Sequence, residues 1–274
     1  MIASTGAPLS LACQALERPR SWFYYRRQKL KPRVVRRTDL EEAIRTIVQG
    51  RPASYGYRRV HGMLGIPCDP KTVYRLMKRN AWLSNVRQKT HRPGRLHEGQ
   101  VAVLEPNKRW CSDMSWIKAW DGTKGRLAVI LDCADRMVLV WRYAPRIQHE
   151  DLCELIREAL FSRFGEQREQ GRGMEFLSDN GPEYIAEGFR AFLAEMGIKQ
   201  CRTPIRSPES NGIAEAFFGG FKRDYVYQNR LDTQETIKQQ MPGWIRDYNE
   251  VGPHGSLGMK APAVFYADWK VKNK

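Results

Sequence analysis

The sequence predicts an α/β core, a mixed five-stranded sheet with flanking helices, preceded by small all-α units. Three observations predict it. From residue 105 onward, short apolar runs of strand character alternate with segments of helical period. Ahead of them, residues 8–83 carry helical periods interrupted by turn residues. The charge divides at the same place. Residues 1–104 hold 21 Lys/Arg against 6 Asp/Glu, a net of +15, and residues 105–274 hold 25 against 24, a net of +1. A basic front part on a nearly neutral back part points to a polyanion partner for the first.

In chain order, residues 8–27 predict two short helices with a turn near 17–20, and residues 28–37 a basic link holding Pro32. Thr38 or Asp39 caps a helix with Leu40, Ala43, Ile44 and Ile47 at helical spacing. A turn at Gly56 precedes a helix from about Tyr57, with Val60, Met63 and Leu64 inward. Asp69-Pro70 is a strong start signal, an N-cap acid followed by proline at the first helical position. The helix it opens has Val73, Leu76 and Met77 on one face. Lys71, Arg75, Lys78 and Arg79 line the other, and no acid interrupts them. A cationic stripe opposite an apolar one suits a helix pressed on phosphates or lying in a groove.

In the core, residues 110–117, 127–132 and 137–143 read as consecutive strands, with 133–136 a tight connection. Helix 149–163, strand 174–177, helix 182–196, strand 198–202 and helices 210–227 and 234–249 follow. No apolar run approaches the ~20 residues that cross a bilayer. The start lacks a basic region followed by an apolar one, so no secretory signal is expected. Six cysteines stand singly without a Cys-x-x-Cys pair, which disfavours zinc and fits a reducing cytosol.

Three acids lie where such a sheet gathers a site. Asp113 is in mid-strand, Asp179 directly follows a strand, and Glu215 is in the first turns of a helix. A carboxylate in mid-strand is costly to ionise unless a cation or hydrogen bonds compensate. Carboxylates converging from two strands and a helix would hold two divalent cations, and oxygen ligands suit Mg²⁺ or Mn²⁺. Two such ions serve phosphoryl transfer. Exactly this Asp-to-Glu gap of 35 residues also occurs between Asp69 and Glu105 and between Asp151 and Glu187, where caps, linker and charged helix faces explain the acids. Asn180-Gly181 and Asn211-Gly212 flank the favoured pair and allow close approach of a backbone.

The runs WCSDMSW, LSDNGPEY and SPESNGIAEAFFGGFKRDY, with the closing PHGSLGMKAPAVF, resemble the DDE transposases of bacterial insertion sequences, of the OrfB type with a retroviral-integrase-like core. RPASYGYRRVHGML and KTVYRLMKRNAWL resemble that family's helix-turn-helix region, and the likeness covers about residues 38–265 in matching order. The resemblance implies an RNase H-like fold and assigns Asp113, Asp179 and Glu215 as a metal-binding catalytic triad for Mg²⁺ or Mn²⁺. It places Lys222, seven residues after Glu215, toward DNA, and adds Arg58 and Arg59 to the stripe of Lys71, Arg75, Lys78 and Arg79 as DNA contacts. Met114-Ser115-Trp116 departs from the usual Ile-Thr-Tyr-like run. The first acid of the motif is Asp113 rather than Asp132, and Glu183 and Asp224 read as surface residues or hydrogen-bond acceptors. Trp110 and Trp116 fit either base-stacking platforms or core, and His254 either a DNA contact or tail packing.

The domains expected are 1–37, a helical hairpin with basic link; 38–88, a helix-turn-helix region; 89–104, a basic linker; 105–265, the catalytic core; and 266–274, a tail. The resemblance implies an enzyme that cleaves the ends of its own element and joins them to target DNA. It also implies homo-oligomers on DNA, an upstream OrfA product or fusion as partner, no membrane, and a cytoplasmic, nucleoid-associated location. A non-catalytic DNA-binding regulator is the alternative, and an RNase H-type nuclease ranks below both.

Overall fold

The computed structural model describes residues 13–15, 17, 37–51, 54–83, 103–202 and 211–273. Most of the expected first hairpin and most of the linker lie outside these residues. The chain divides into two compact units, Met1–Arg45 and Thr46–Lys274. The boundary falls inside helix α1 (Arg37–Gln49), whose Leu40 and Ile44 are buried.

Two helices follow, α2 (Tyr57–Met63) and α3 (Pro70–Arg79). Asp69 caps α3 by accepting from the Lys71 N–H at 2.6 Å, and Pro70 supplies the preset first turn, as the sequence predicts. Val73, Leu76 and Met77 are buried.

The sheet holds β1 (Arg109–Lys118), β2 (Lys124–Asp132), β3 (Val138–Ala144), β4 (Glu175–Ser178) and β5 (Lys199–Arg202) in the order β3-β2-β1-β4-β5. β1, β2 and β3 pair antiparallel, and β4 and β5 join in parallel. The crossovers are α4 (His149–Phe164), which leads to β4, and α5 (Pro182–Ile185) with α6 (Glu187–Glu195), which lead to β5. After β5 come α7 (Gly212–Asp224), α8 (Gln234–Glu250) and α9 (Pro262–Lys272).

Alternation along the central strands makes two cores. Cys111, Leu127, Val129 and Leu131 meet Phe217, Phe218, Phe221 and Trp244 of α7 and α8. Trp110, Ala128 and Ile130 meet Leu155, Ile156, Phe189 and Leu193 of α4 and α6. Asp132 is fully buried and accepts from the Asn107, Ala134 and Asp135 N–H groups, so it organises the turn after β2.

The structure corrects three expectations. The helix expected over 182–196 is two, because Ala186 is extended (φ −54°, ψ 137°) between α5 and α6. β2 begins at Lys124, its polar start being carried by pairing with β1 rather than by apolar content. The 265/266 boundary falls inside α9, and the tail is a helix whose Tyr266 ring lies 3.7 Å from the Arg163 guanidinium.

Within the second unit, α2 is fastened to the helices behind the sheet. Arg59 pairs with Asp224, Ser54 donates to Asp224 at 2.5 Å, and Arg51 pairs with Asp247. A Cβ on Gly62 would come within 2.8 Å of the Met259 Cβ, so glycine permits that approach.

Candidate active site

β4 pairs with β1 through Arg109↔Glu175, Trp110↔Phe176 and Cys111↔Leu177. The pairing ends there, and Asp179 follows directly after the last residue of β4, on the side of the sheet end where Asp113 of β1 lies. Asp113 shares its face of β1 with Cys111, which packs beneath α7. α7 is seated by Ala214, Phe217, Phe218 and Phe221, the inward stripe of an amphipathic helix. Glu215 therefore stands exposed in its first turn. Asn211, just before α7, donates to the Ser112 carbonyl at 3.1 Å and ties the helix start to the strand beside Asp113.

The electrostatics report the convergence. Asp113 is half-buried, and its carboxyl is pushed up to about 6. Burial is the main cause. The Met114 N–H, which donates to Oδ1 at 2.7 Å, opposes it, the Asp179 and Glu215 carboxylates raise it further, and Arg126 pulls it down. Asp179 is exposed and accepts from the Gly181 N–H at 2.9 Å, which shapes the turn leaving β4. Among the described residues, no three His, Cys, Asp or Glu side chains close around a common point as a finished metal cage. The donors nevertheless fit a hard divalent cation: all are carboxylate oxygens, they repel one another at Asp113, and the buried Asn211 Oδ1 beside them has no hydrogen-bond partner among the described residues.

Lys222 reaches the same place. Its Nζ donates to Ser115 Oγ at 2.6 Å. Burial lowers the Lys222 pKa, and the neighbouring Asp113 opposes that shift. Ser115 escaped the sequence reading, although its position two residues past Asp113 on one strand face was a usable signal. Arg126 also escaped it. It pairs with Glu183 and is felt at Asp113 across β1 and β2, a relation only register reveals.

The helical cations are placed unequally. Lys71, Arg75, Lys78 and Arg79 are all exposed on α3, and Arg58 is exposed on α2 with its guanidinium 5.4 Å from the Tyr57 ring centre. Arg59 is placed differently from its neighbour Arg58. It turns inward to Asp224 and lies 4.9 Å from the Tyr55 ring, because a buried carboxylate at the end of α7 demands a counter-charge. Asp224 is buried, not a surface acid, and it is an acceptor as expected. Trp110 is core, whereas Trp116 is 47% exposed. His254 is mostly buried, with its ring 4.7 Å from Tyr248, and burial drives its pKa down to about 4, so packing rather than charge describes it.

A three-stranded antiparallel half extended by two parallel strands, with one acid on the central strand and another just past the end of its parallel neighbour, is an RNase H-like core of the kind that carries polynucleotidyl transfer. Residues 104–208 match the integrase core domain family, residues 196–262 a second integrase core domain description, and residues 35–90 an HTH-like domain. The chain is 36% identical over 227 residues to transposase InsD of insertion element IS2 from Escherichia coli, covering 80% of this chain and 75% of that one. It is 40% identical over 176 residues to an uncharacterized protein of insertion element IS136 from Agrobacterium fabrum, covering 64% of this chain and 90% of that one. The chain belongs to the insertion-sequence transposases with an integrase-type core. Among solved structures, it is similar to the HTLV-2 integrase catalytic core in complex with magnesium, with 20% identity, TM-score 0.43 and coverage of 59% of this chain and 97% of that one. It is also similar to the Mos1 transposase catalytic domain with Mg, with 21% identity, TM-score 0.44 and coverage of 51% and 71%.

Proposed function

We propose that Asp113, Asp179 and Glu215 are the catalytic triad of this transposase, that they hold Mg²⁺ or Mn²⁺ as a pair of ions, and that the α3 cations grip the DNA. One observation carries the reading: the carboxyl of Asp113 is raised partly by the charges of Asp179 and Glu215. Three elements distant in sequence thus direct negative charge at one point, an arrangement without structural benefit in the absence of a cation. When bound, divalent ions supply activation of the attacking oxygen and stabilisation of the leaving oxygen.

The chain's own residues do the rest. β1 carries Asp113, the turn after β4 carries Asp179, and the packed helix α7 carries Glu215, so in this reading the ion draws together carboxylates that already lie on rigid elements or directly beside them. Lys222, anchored on Ser115, offers a cation to a phosphate lying over the site. The exposed stripe of Lys71, Arg75, Lys78 and Arg79, together with Arg58, suits phosphate and groove contacts. α2 is fastened to the core through Arg59 and Asp224, and the segment before it through Arg51 and Asp247. Homo-oligomers on DNA, an upstream OrfA product or fusion as partner, and a nucleoid-associated location complete the proposal. No helix among the described residues is long and apolar enough to cross a membrane.

The test is a strand-transfer assay with DNA carrying the element's ends. Joining should need Mg²⁺ or Mn²⁺ and stop in EDTA. It should vanish in Asp113→Asn, Asp179→Asn and Glu215→Gln while end binding persists. Joining that survives in any of these variants would remove that residue from the triad, and end binding with no metal-dependent joining by the wild type would make the protein a regulator.

A further inference from the structure

We infer that Trp116 and the cleft beside it form a receptor for an unpaired nucleobase of the DNA strand passing the active site. An open cleft of about 500 Å³ lies on the opposite face of the sheet from Asp113. Its walls include Trp116, Arg126, Arg146, His149, Pro182 and Glu183. That volume lies in the range of small-ligand pockets and exceeds what a single base needs.

Three observations favour a base. Trp116 is a large aromatic, 47% exposed, on a central strand whose other large aromatic, Trp110, is fully buried. Indole faces are stacking platforms that accept any base. Cations surround it: Lys124 Nζ lies 4.8 Å and the Arg126 guanidinium 5.4 Å from the ring centre. Arg146 is exposed on the rim, with no ion-pair partner among the described residues. A base stacking on the indole would displace the exposed Lys124, whose charge is then free for the adjoining phosphate.

The topology supplies a route. β4 pairs with β1 only as far as Cys111↔Leu177, so among the described residues no strand pairs with the β4-side edge of β1 after Asp113. Trp116 stands three residues past Asp113, about 10 Å along the strand and on the other face. A strand held with a phosphate at Asp113 can turn its next base over that edge. A paired base cannot, since its partner would have to pass through β1. The inference rests on the reading of Asp113 as part of the DNA-cleaving site.

The test is a fluorescence titration of the full chain with a short single-stranded oligodeoxynucleotide carrying one 2-aminopurine, and with the same strand annealed to its complement. Stacking on the indole should quench the single strand saturably and leave the duplex nearly unchanged. Trp116→Ala should lose the quench and bind the single strand at least about fivefold more weakly, while Trp116→Phe should keep most of both. In parallel, ultraviolet cross-linking of a 5-iodouracil strand to the unaltered protein should mark the peptide holding Trp116. Equal quenching by Trp116→Ala and wild type, equal quenching of single strand and duplex, or cross-links confined to other peptides would overturn the inference. Strand transfer without the quench would remove only the base receptor. The quench without strand transfer would remove only the catalytic reading.

Discussion

Replacing Asp113 by Asn isolates the energy of gathering three carboxylates in one place. The folded carboxyl is raised from 3.8 to about 6, with burial as the first cause and the two neighbouring acids adding to it. A gap of about 2 units at about 1.4 kcal/mol each sets a ceiling near 3 kcal/mol. The group is only half-buried, and solvent screening reduces this to about 1–2 kcal/mol. Because the folded pKa lies above the unfolded one, the metal-free protein keeps this stability below about pH 4 and loses it as pH rises through about 6. Asn cannot ionise and still offers an oxygen to the Met114 N–H. In EDTA at about pH 8, Asp113→Asn should therefore melt roughly 2–6 °C above the wild type, and near pH 4 the two should coincide. Mg²⁺ should raise the wild-type melting temperature and leave the variant nearly unmoved. Thermal melts across pH, with and without metal, check this. A variant less stable than the wild type at pH 8, or a difference independent of pH, would refute the claim that repulsion and burial act on Asp113.

Other outcomes follow from the same geometry. Asp224→Ala leaves Arg59 and Arg223 without their shared carboxylate and should destabilise the fold by about 3 kcal/mol in denaturant titration. Burial alone would raise Asp224, but Arg223, Arg59 and Ser54 bring it below its ordinary value, so its stabilisation is present at neutral pH and fades as pH falls through the acid range. Lys222→Ala should impair strand joining more than end binding, since its ammonium sits on Ser115 beside Asp113 rather than on the α3 face; equal losses would contradict that. Lys78→Ala should weaken binding to all DNA sequences alike and reduce the salt slope by about 0.9, whereas Arg75→Ala should cost about 1–3 kcal/mol of discrimination against an altered end, both read from binding isotherms over a salt series.

Much of this molecule is local, and local features are written along the chain. The Asp69-Pro70 start of α3, its apolar face of Val73, Leu76 and Met77, and its exposed cationic stripe follow from capping chemistry and a 3.6-residue period. The succession of five strands and their helices follows from periodicity in the same way, and the acids stood out because Asp113 is a charge in mid-strand and Asp179 and Glu215 flank glycine-bearing turns. What the chain does not write is register and packing across long separations. The charge of Asp179 is felt at Asp113 because β4 pairs in parallel with β1, and Lys222 meets Ser115 because the phenylalanines of α7 settle under β1. Arg58 and Arg59 are adjacent and chemically identical, yet one faces solvent and the other is drawn to Asp224, 165 residues away. Trp110 and Trp116 are both β1 tryptophans of even position on one face, yet Trp110 is buried under α4 and Trp116 lies bare where β4 has ended. Periodicity names the face of a side chain; only the tertiary structure decides what covers that face, because coverage depends on neighbours that local sequence does not contain.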